Sequence, residues 1–197
     1  MELRFAVPED AAALLRVYQE YIGTTVTFEY ALPTEEEFSA RIAAFTAAGY
    51  PYLALFDGPR PAAYAYAHRA QERAAYGWNA ELSIYIARDY SHRGIGRLLY
   101  AALMELLRLQ GVKTVYGVVT SPNPASEALH EAMGFRRAAL FRNAGYKNGR
   151  WCDVTWFERE LSAHDGAPSP LRPAAAIPEA GDILRRCEAE ICARLSM

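Results

Sequence analysis

The sequence is poor in the residues that would build a disulfide framework or a structural metal site. It has three cysteines in 197 residues, at Cys152, Cys187 and Cys192, and none forms a Cys-x-x-Cys pair. The odd number and wide spacing of these residues argue against disulfides and against a zinc site. We therefore expect reduced thiols and no metal.

We also expect no targeting segment, and no apolar run reaches the roughly 18 residues that a membrane span requires. Residues 1–5 contain no basic region leading into an apolar stretch. An excess of positive charge is missing too, since 21 Lys and Arg stand against 23 Asp and Glu, for a formal net charge of -2. A chain with this charge has no overall positive electrostatic field that would attract the phosphate backbone of a nucleic acid. We expect a cytoplasmic protein that binds neither nucleic acid nor a membrane.

The sequence does contain the alternating strands and helices of one α/β domain, with 52% hydrophobic residues to form its core. The predicted strands are residues 3–6, 51–56, 62–67, 81–86, 112–119, a strand from 135 and 151–161. The predicted helices begin at Pro8, at Pro33, at Gly94 and at Asn123. The domain is expected to cover residues 1–161. Residues 162–197 are expected to form a Pro/Ala-rich linker and a short accessory helix that packs on the domain or on a dimer partner.

The most informative segment is Ser91-His92-Arg93-Gly94-Ile95-Gly96-Arg97, between a predicted strand and a predicted helix. A helix N-terminus presents unpaired N–H groups and a partial positive charge, and glycine allows a phosphate to approach the backbone closely. The segment therefore predicts a phosphate site, with a plain tight turn as the alternative. A dinucleotide fingerprint would need a third glycine where Leu99 stands, and a P-loop would need Gly-Lys-Ser/Thr. Neither motif is present.

Together with the run Asn123-x-x-Ser126-x-x-Leu129-His130-x-x-x-Gly134-Phe135, this segment resembles the GNAT acetyltransferase superfamily over about residues 2–161. The resemblance implies a mixed, mostly antiparallel central sheet flanked by helices, with acetyl-CoA as co-substrate. Two further runs, from Arg73 to Ile86 and from Ala144 to Val154, are similar to phosphinothricin and methionine sulfone acetyltransferases. The chain departs from these patterns at Ser91 and at Asn79-Ala80.

The resemblance also implies roles for individual residues. Glu81 would be the general base that deprotonates the substrate ammonium, and His130 occupies the position of a tyrosine general acid. The residues implied to bind the cofactor are Ile84, Tyr85, Ile86, His92, Arg93, Gly94, Ile95, Gly96, Arg97 and Asn123. The residues implied to bind substrate are Phe28, as an aromatic wall, Arg73, as a partner for a carboxylate, and Tyr76.

Each of these roles has a structural alternative in the sequence. Glu81 could face solvent on its strand, and His130 could lie on a helix surface, hydrogen-bonded to a neighbour. Phe28, Arg73 and Tyr76 could equally be surface packing.

These residues predict an N-acetyltransferase that moves acetyl from acetyl-CoA to the amine of a small amino-acid-like substrate. Transfer is expected to be direct, because no cysteine lies in the glycine turn or in the run from Asn123 to Phe135 to form an acyl-enzyme. A homodimer is expected. The alternatives are another amine acceptor (a polyamine, an aminoglycoside or a protein N-terminus), a non-catalytic acetyl-CoA sensor, and an interaction module built on the C-terminal helix. Glu81 argues against a sensor.

Overall fold

A seven-stranded sheet runs through the computed structural model, which describes residues 1–196. The strands are β1 (Glu2–Phe5), β2 (Tyr52–Asp57), β3 (Arg60–Arg69), β4 (Asn79–Ile86), β5 (Thr114–Ser121), β6 (Arg136–Lys147) and β7 (Arg150–Glu160). The helices are α1 (Ala11–Ile22), α2 (Glu35–Ala47), α3 (Ile95–Gln110), α4 (Pro124–Ala132) and α5 (Ala180–Leu195).

The strand order is β1-β2-β3-β4-β5-β7-β6, and the sheet is mixed. Only β4 and β5 pair in parallel among residues 1–196, while the other neighbouring strands are antiparallel. The crossover from β4 to β5 contains α3, as parallel neighbours require. The predicted sheet of mostly antiparallel strands flanked by helices is confirmed.

The two faces of β4 contact different helices. Tyr85 packs edge-on against Tyr18 and Tyr21 of α1, with ring centroids 5.0 Å and 5.3 Å apart. Ile84 and Ile86, which point to the opposite face, contact the first turn of α3. A buried core therefore lies on each side of the sheet at β4.

Local signals fix the helix ends. The Thr34 hydroxyl accepts from Glu37 N at 3.1 Å, and the Glu37 carboxylate accepts from Thr34 N at 2.8 Å, so the predicted capping box is present. At the end of α3, Gly111 N donates to Arg108 O at 3.1 Å and Val112 N donates to Leu107 O at 3.0 Å. The second bond keeps Val112, the predicted first residue of β5, in the helix cap. β5 therefore begins at Thr114 rather than at Val112.

Before α5 begins, the C-terminal segment runs past the start of β4 and the end of α3. Along it, Ser169 O accepts from Trp78 Nε1 and Arg172 O accepts from Gln110 Nε2, both at 2.7 Å. The apolar face of α5 is buried against α3 and β1, through Ile183, Leu184, Cys187 and Ile191. The helix therefore packs on the same core as the preceding residues. Within residues 1–196, no helix is both long enough and apolar enough to cross a bilayer.

Candidate active site

The parallel pairing of β4 with β5 ends early and leaves a cleft. It runs from Asn79 opposite Thr114 to Leu82 opposite Gly117, after which the strands diverge. The cleft contains a small cavity of about 60 Å³. Residues of both strands, α3, α4 and the loop after α1 line it: Val26, Leu82, Ser83, Ile84, Tyr85, Tyr100, Val118, Val119, Thr120, Asn123, Ser126 and His130.

His130 fills the space where the strands separate. A Cβ atom on Gly117 would overlap its Nε2, so the absence of a side chain at Gly117 is what admits the imidazole. The ring stacks on Phe157 at 5.0 Å and is 2% exposed, so the alternative of a helix-surface histidine is wrong.

The hydrogen bonds of His130 define its neutral tautomer. Nδ1 donates to Ser126 O at 2.8 Å, because a carbonyl can only accept, and Nε2 is left to accept from the Tyr100 hydroxyl at 3.4 Å. Burial lowers the pKa of His130, against the hydrogen bond to Ser126. At neutral pH, Nε2 at the cleft is therefore an acceptor unless the ring takes up a second proton.

Glu81 lies in the paired half of β4, directly opposite His68 of β3. The His68 Nε2 atom is 3.8 Å from Oε1 of Glu81, whose side chain is 23% exposed. Burial raises the pKa of Glu81, and positive charge on His68 opposes this. Glu81 shares its face of the strand with Ser83 and Tyr85. A carboxylate with a raised pKa in a partly buried position has the properties of a general base.

The glycine turn has the backbone geometry predicted for an anion site. His92 and Gly94 have positive φ angles of 60° and 74°, and Gly94 is the N-cap of α3. From His92 to Gly94, no backbone N–H donates a hydrogen bond within residues 1–196, and the first amides of α3 have no intrahelical acceptor. Alternating left-handed residues that leave consecutive amides free form a concavity that binds phosphate. The side chains of His92, Arg93 and Arg97 are exposed around it.

Gly96 has a role in packing that the sequence did not suggest. It is buried and has no positive φ. A Cβ atom there would lie 3.1 Å from Cδ1 of Ile86 and 3.7 Å from Cδ1 of Ile84. Gly96 thus holds the first turn of α3 against β4, next to the buried Ile95. The glycine fixes the distance between the turn and the cleft.

The other predicted cofactor residues lie at the same opening. Asn123 caps α4, where its Oδ1 accepts from Ser126 N at 3.3 Å, and it also lines the cleft. Tyr21 Oη donates to Ile86 O at 2.6 Å and anchors the end of β4. This position is compatible with the role in cofactor binding that the resemblance implies for Asn123.

Phe28 is held against the β6–β7 hairpin. A Cβ atom on Gly145 would overlap the Phe28 ring, so the loop packs directly on the β6 backbone. The neighbouring carbonyls of Thr27 and Glu29 accept hydrogen bonds from Lys147 Nζ at 2.6 Å and 2.7 Å. Lys147 is 3% exposed, and burial lowers its pKa. The ammonium therefore fixes the loop that carries Phe28.

Arg73 and Tyr76 lie on the connection between β3 and β4. Both side chains are exposed, and neither forms a hydrogen bond within residues 1–196. Their neighbours Glu72, Ala74 and Gly77 border a cavity of about 620 Å³ that also contains His68. The structure thus puts Arg73 and Tyr76 at the rim beside His68, without bringing either into contact with Glu81.

Sequence reasoning missed three residues of this site. His68 faces Glu81 only because of the β3–β4 register, and Lys147 lies in a run that was noted only for its resemblance. Gly117 could have been suspected as an isolated glycine within a strand pattern, which marks a close approach. Among residues 1–196, no three His, Cys, Asp or Glu side chains are grouped so as to hold a metal ion.

Comparisons with known proteins agree with this geometry. A family model described as an acetyltransferase (GNAT) domain matches residues 3–156. The chain is 34% identical to the phosphinothricin N-acetyltransferase of Streptomyces viridochromogenes over 90% of its length and 96% of the relative's. It is 30% identical to the L-methionine sulfoximine/L-methionine sulfone acetyltransferase of Pseudomonas paraeruginosa, over 84% of this chain and 98% of the relative.

The fold is also similar to a solved structure that contains the cofactor. A GNAT superfamily phosphinothricin acetyltransferase from Sinorhizobium meliloti, in complex with AcCoA, superposes with a TM-score of 0.82. That protein is 32% identical, and the match covers 87% of this chain and 95% of the other.

Proposed function

Because the chain belongs to the GNAT acetyltransferase family, as an acetyl-CoA-dependent N-acetyltransferase, we propose that its acceptor is the amine of a small amino-acid-like molecule. Acceptors of the phosphinothricin or methionine sulfone and sulfoximine type are favoured by the names of its relatives. The observation that carries the proposal is the diverging strand pair, which has a partly buried carboxylate on one side and a turn of free amides on the other.

In the proposed mechanism, Glu81 prepares the nucleophile. An alkyl ammonium cannot attack a thioester, so Glu81 takes a proton from it directly or through water. The free amine then attacks the carbonyl carbon of acetyl-CoA, and a tetrahedral oxyanion forms. Burial raises the pKa of Glu81. This brings the pKa closer to neutral pH than that of an ordinary glutamate, which favours proton transfer.

The unpaired half of β4 would stabilise the oxyanion. Beyond Leu82 the strand has lost its β5 partner, whereas Ser83 and Tyr85 stay paired with β3. The main-chain groups of Ile84 and Ile86 therefore face the cleft, where Ile86 N donates to Tyr21 Oη at 3.4 Å. A main-chain N–H near Tyr85 and Ile86 is the proposed donor. The residues proposed to bind CoA are the predicted ones: Ile84, Tyr85, Ile86, His92, Arg93, Gly94, Ile95, Gly96, Arg97 and Asn123.

Collapse of the intermediate breaks the carbon–sulfur bond and releases a CoA thiolate, and the attacking nitrogen loses its second proton to water. His130 is the proposed donor of the proton that this thiolate takes up. Donation requires the imidazolium, because the neutral ring donates from Nδ1 to Ser126 instead. Burial lowers the pKa of His130, so an imidazolium formed there is a stronger acid than usual, though less populated.

Phe28, Arg73 and Tyr76 are proposed to bind the acceptor. Phe28 lies beside Val26, which lines the cleft, and would form its aromatic wall. Arg73 has no hydrogen-bond partner for its guanidinium within residues 1–196 and stands at the rim near His68. A forked guanidinium suits a carboxylate next to the reacting amine.

We also propose a homodimer, with residues 1–161 as the catalytic domain and residues 162–197 as an added linker and helix. β6 is the outer strand of the sheet. Large apolar side chains there and on β7, namely Leu140, Phe141, Tyr146 and Trp151, are 49% to 62% exposed. Exposed large apolar side chains on an edge strand are typical of an interface. A cytoplasmic location stays a prediction.

The test of the proposed function is a screen of acceptors with acetyl-CoA that measures free thiol release. Amino-acid-like amines are expected to be acetylated with higher kcat/KM than matched amines without a carboxylate, and Arg73→Ala should reduce that preference. Better turnover of polyamines, aminoglycosides or peptide N-termini would contradict the proposed substrate class. Cofactor binding without turnover of any amine would favour the sensor instead.

A further inference from the structure

A second, larger groove lies on the outer side of α3. It has a volume of about 830 Å³ and is formed by α3, the end of α4, the end of β7 and α5. Four arginines line it, at positions 97, 108, 159 and 194, together with three glutamates, at positions 105, 160 and 190. Two of these arginines, Arg97 and Arg194, connect the groove with the glycine turn.

The charges in this groove are not mutually neutralised. Glu105 pairs with Arg186, which lies outside the groove, and Arg159 donates to the Met133 carbonyl. Within residues 1–196, Arg97, Arg108 and Arg194 have no carboxylate oxygen within 4.0 Å. Glu190 lies one helical turn before Arg194 without pairing with it. The groove therefore presents guanidinium groups that are free to bind an anion.

Arg194 belongs to the added helix but touches the glycine turn. A Cβ atom on Gly94 would overlap Nη1 of Arg194 and lie 3.4 Å from its Cζ. The missing side chain at Gly94 therefore lets the guanidinium rest on the turn. α5 lies outside residues 3–156, which the family model matches. The contact is a feature of this chain's C-terminal segment.

We propose that Arg194 binds the 3′-phosphate of acetyl-CoA, so that the groove holds the nucleotide end of the cofactor. This inference rests on the proposed function, in which the main-chain amides from His92 to Arg97 bind the pyrophosphate. Once those amides are occupied, the remaining phosphate of CoA is the 3′-phosphate, a multiply charged anion on the ribose. The donors left for it at the mouth of the groove are Arg194 and Arg97.

The test compares the binding of CoA and 3′-dephospho-CoA by calorimetry. Arg194→Ala is expected to raise the Kd of CoA by about tenfold and to leave that of dephospho-CoA within about twofold of wild type. Arg194→Gln should change the two Kd values in the same way as Arg194→Ala. Arg185→Ala is the matched control, because Arg185 is an exposed residue of the same helix that pairs with Asp182. It should bind both ligands as wild type does.

The possible outcomes separate this inference from the proposed function. Wild-type binding of CoA with no effect of Arg194→Ala or Arg194→Gln would overturn the role of Arg194 alone. An equal increase in the Kd of CoA and in that of dephospho-CoA would also overturn it, because Arg194 would then act on the pyrophosphate. A wild-type protein that binds neither ligand would overturn the proposed cofactor site itself.

Discussion

The first half of β4, Asn79 to Leu82, is paired with strands on both edges, whereas the second half, Ser83 to Ile86, is paired only with β3. The paired half holds Glu81 against His68, so the carboxylate has a fixed position and a low-dielectric setting. The unpaired half borders the cleft and has main-chain groups free for a ligand. One strand thus places a side-chain base next to a main-chain binding surface.

The largest expected effect comes from removing the base in the paired half. Glu81→Gln keeps the shape of the side chain but cannot take a proton. Turnover at neutral pH should fall by about 10² to 10⁴, while the Kd of acetyl-CoA is unchanged. Raising the pH should restore part of the rate, because solvent then deprotonates more of the amine.

The measurement is kcat/KM from pH 6 to 10, together with the Kd of acetyl-CoA. Glu36→Gln, at an exposed glutamate of α2, is the control and should match wild type. Wild-type turnover by Glu81→Gln across this range would show that the base is another group.

The second-largest effect is expected from a substitution at Gly96, which packs against the unpaired half of β4. A valine there would push on Ile86, since a Cβ atom already lies 3.1 Å from its Cδ1. We expect the Kd of acetyl-CoA to rise at least about tenfold, or 1.4 kcal/mol, as measured by calorimetry. Gly23→Val is the control, because no heavy atom lies within 4 Å of a Cβ built there. Unchanged affinity in Gly96→Val would argue against a cofactor site at this turn.

A smaller effect should follow from replacing His68 with Gln. Positive charge on His68 lowers the pKa of Glu81, against the dominant effect of burial, which raises it. Without that charge the pKa of Glu81 rises, so the acidic limb of kcat/KM should move to higher pH, with the plateau at high pH little changed. The other titratable groups near Glu81 are Tyr66 and Tyr100, which ionise above this range. A limb that stays in place, or moves to lower pH, would contradict the pairing of His68 with Glu81.

Local rules predicted much of the fold and the glycine turn. The capping box at Thr34 and Glu37 and the turn at Gly94 depend on neighbouring residues, so a single sequence contains the information. The end of α3 shows the limit, because Gly111 and Val112 complete the helix cap and move the start of β5 by two residues.

The parts that sequence reasoning missed depend on which distant residues meet. His68 reaches Glu81 through strand register, and Gly117 makes room for His130 from another element. Neither contact follows from the spacing of residues along the chain. The same holds for Arg194, which meets Gly94 across 100 residues of sequence because α5 packs on α3. Each of these contacts required the tertiary structure.

The central claim, that acetyl-CoA occupies the cleft beside the unpaired half of β4, is tested most directly by amide-resolved hydrogen exchange. Saturating acetyl-CoA should slow the exchange of the Ile84 and Ile86 amides, which face the cleft, and of the amides from His92 to Arg97. The amides from Asn79 to Leu82, already hydrogen-bonded to neighbouring strands, should change little. Unchanged exchange in both the second half of β4 and the turn, under conditions where the cofactor is bound, would contradict the account.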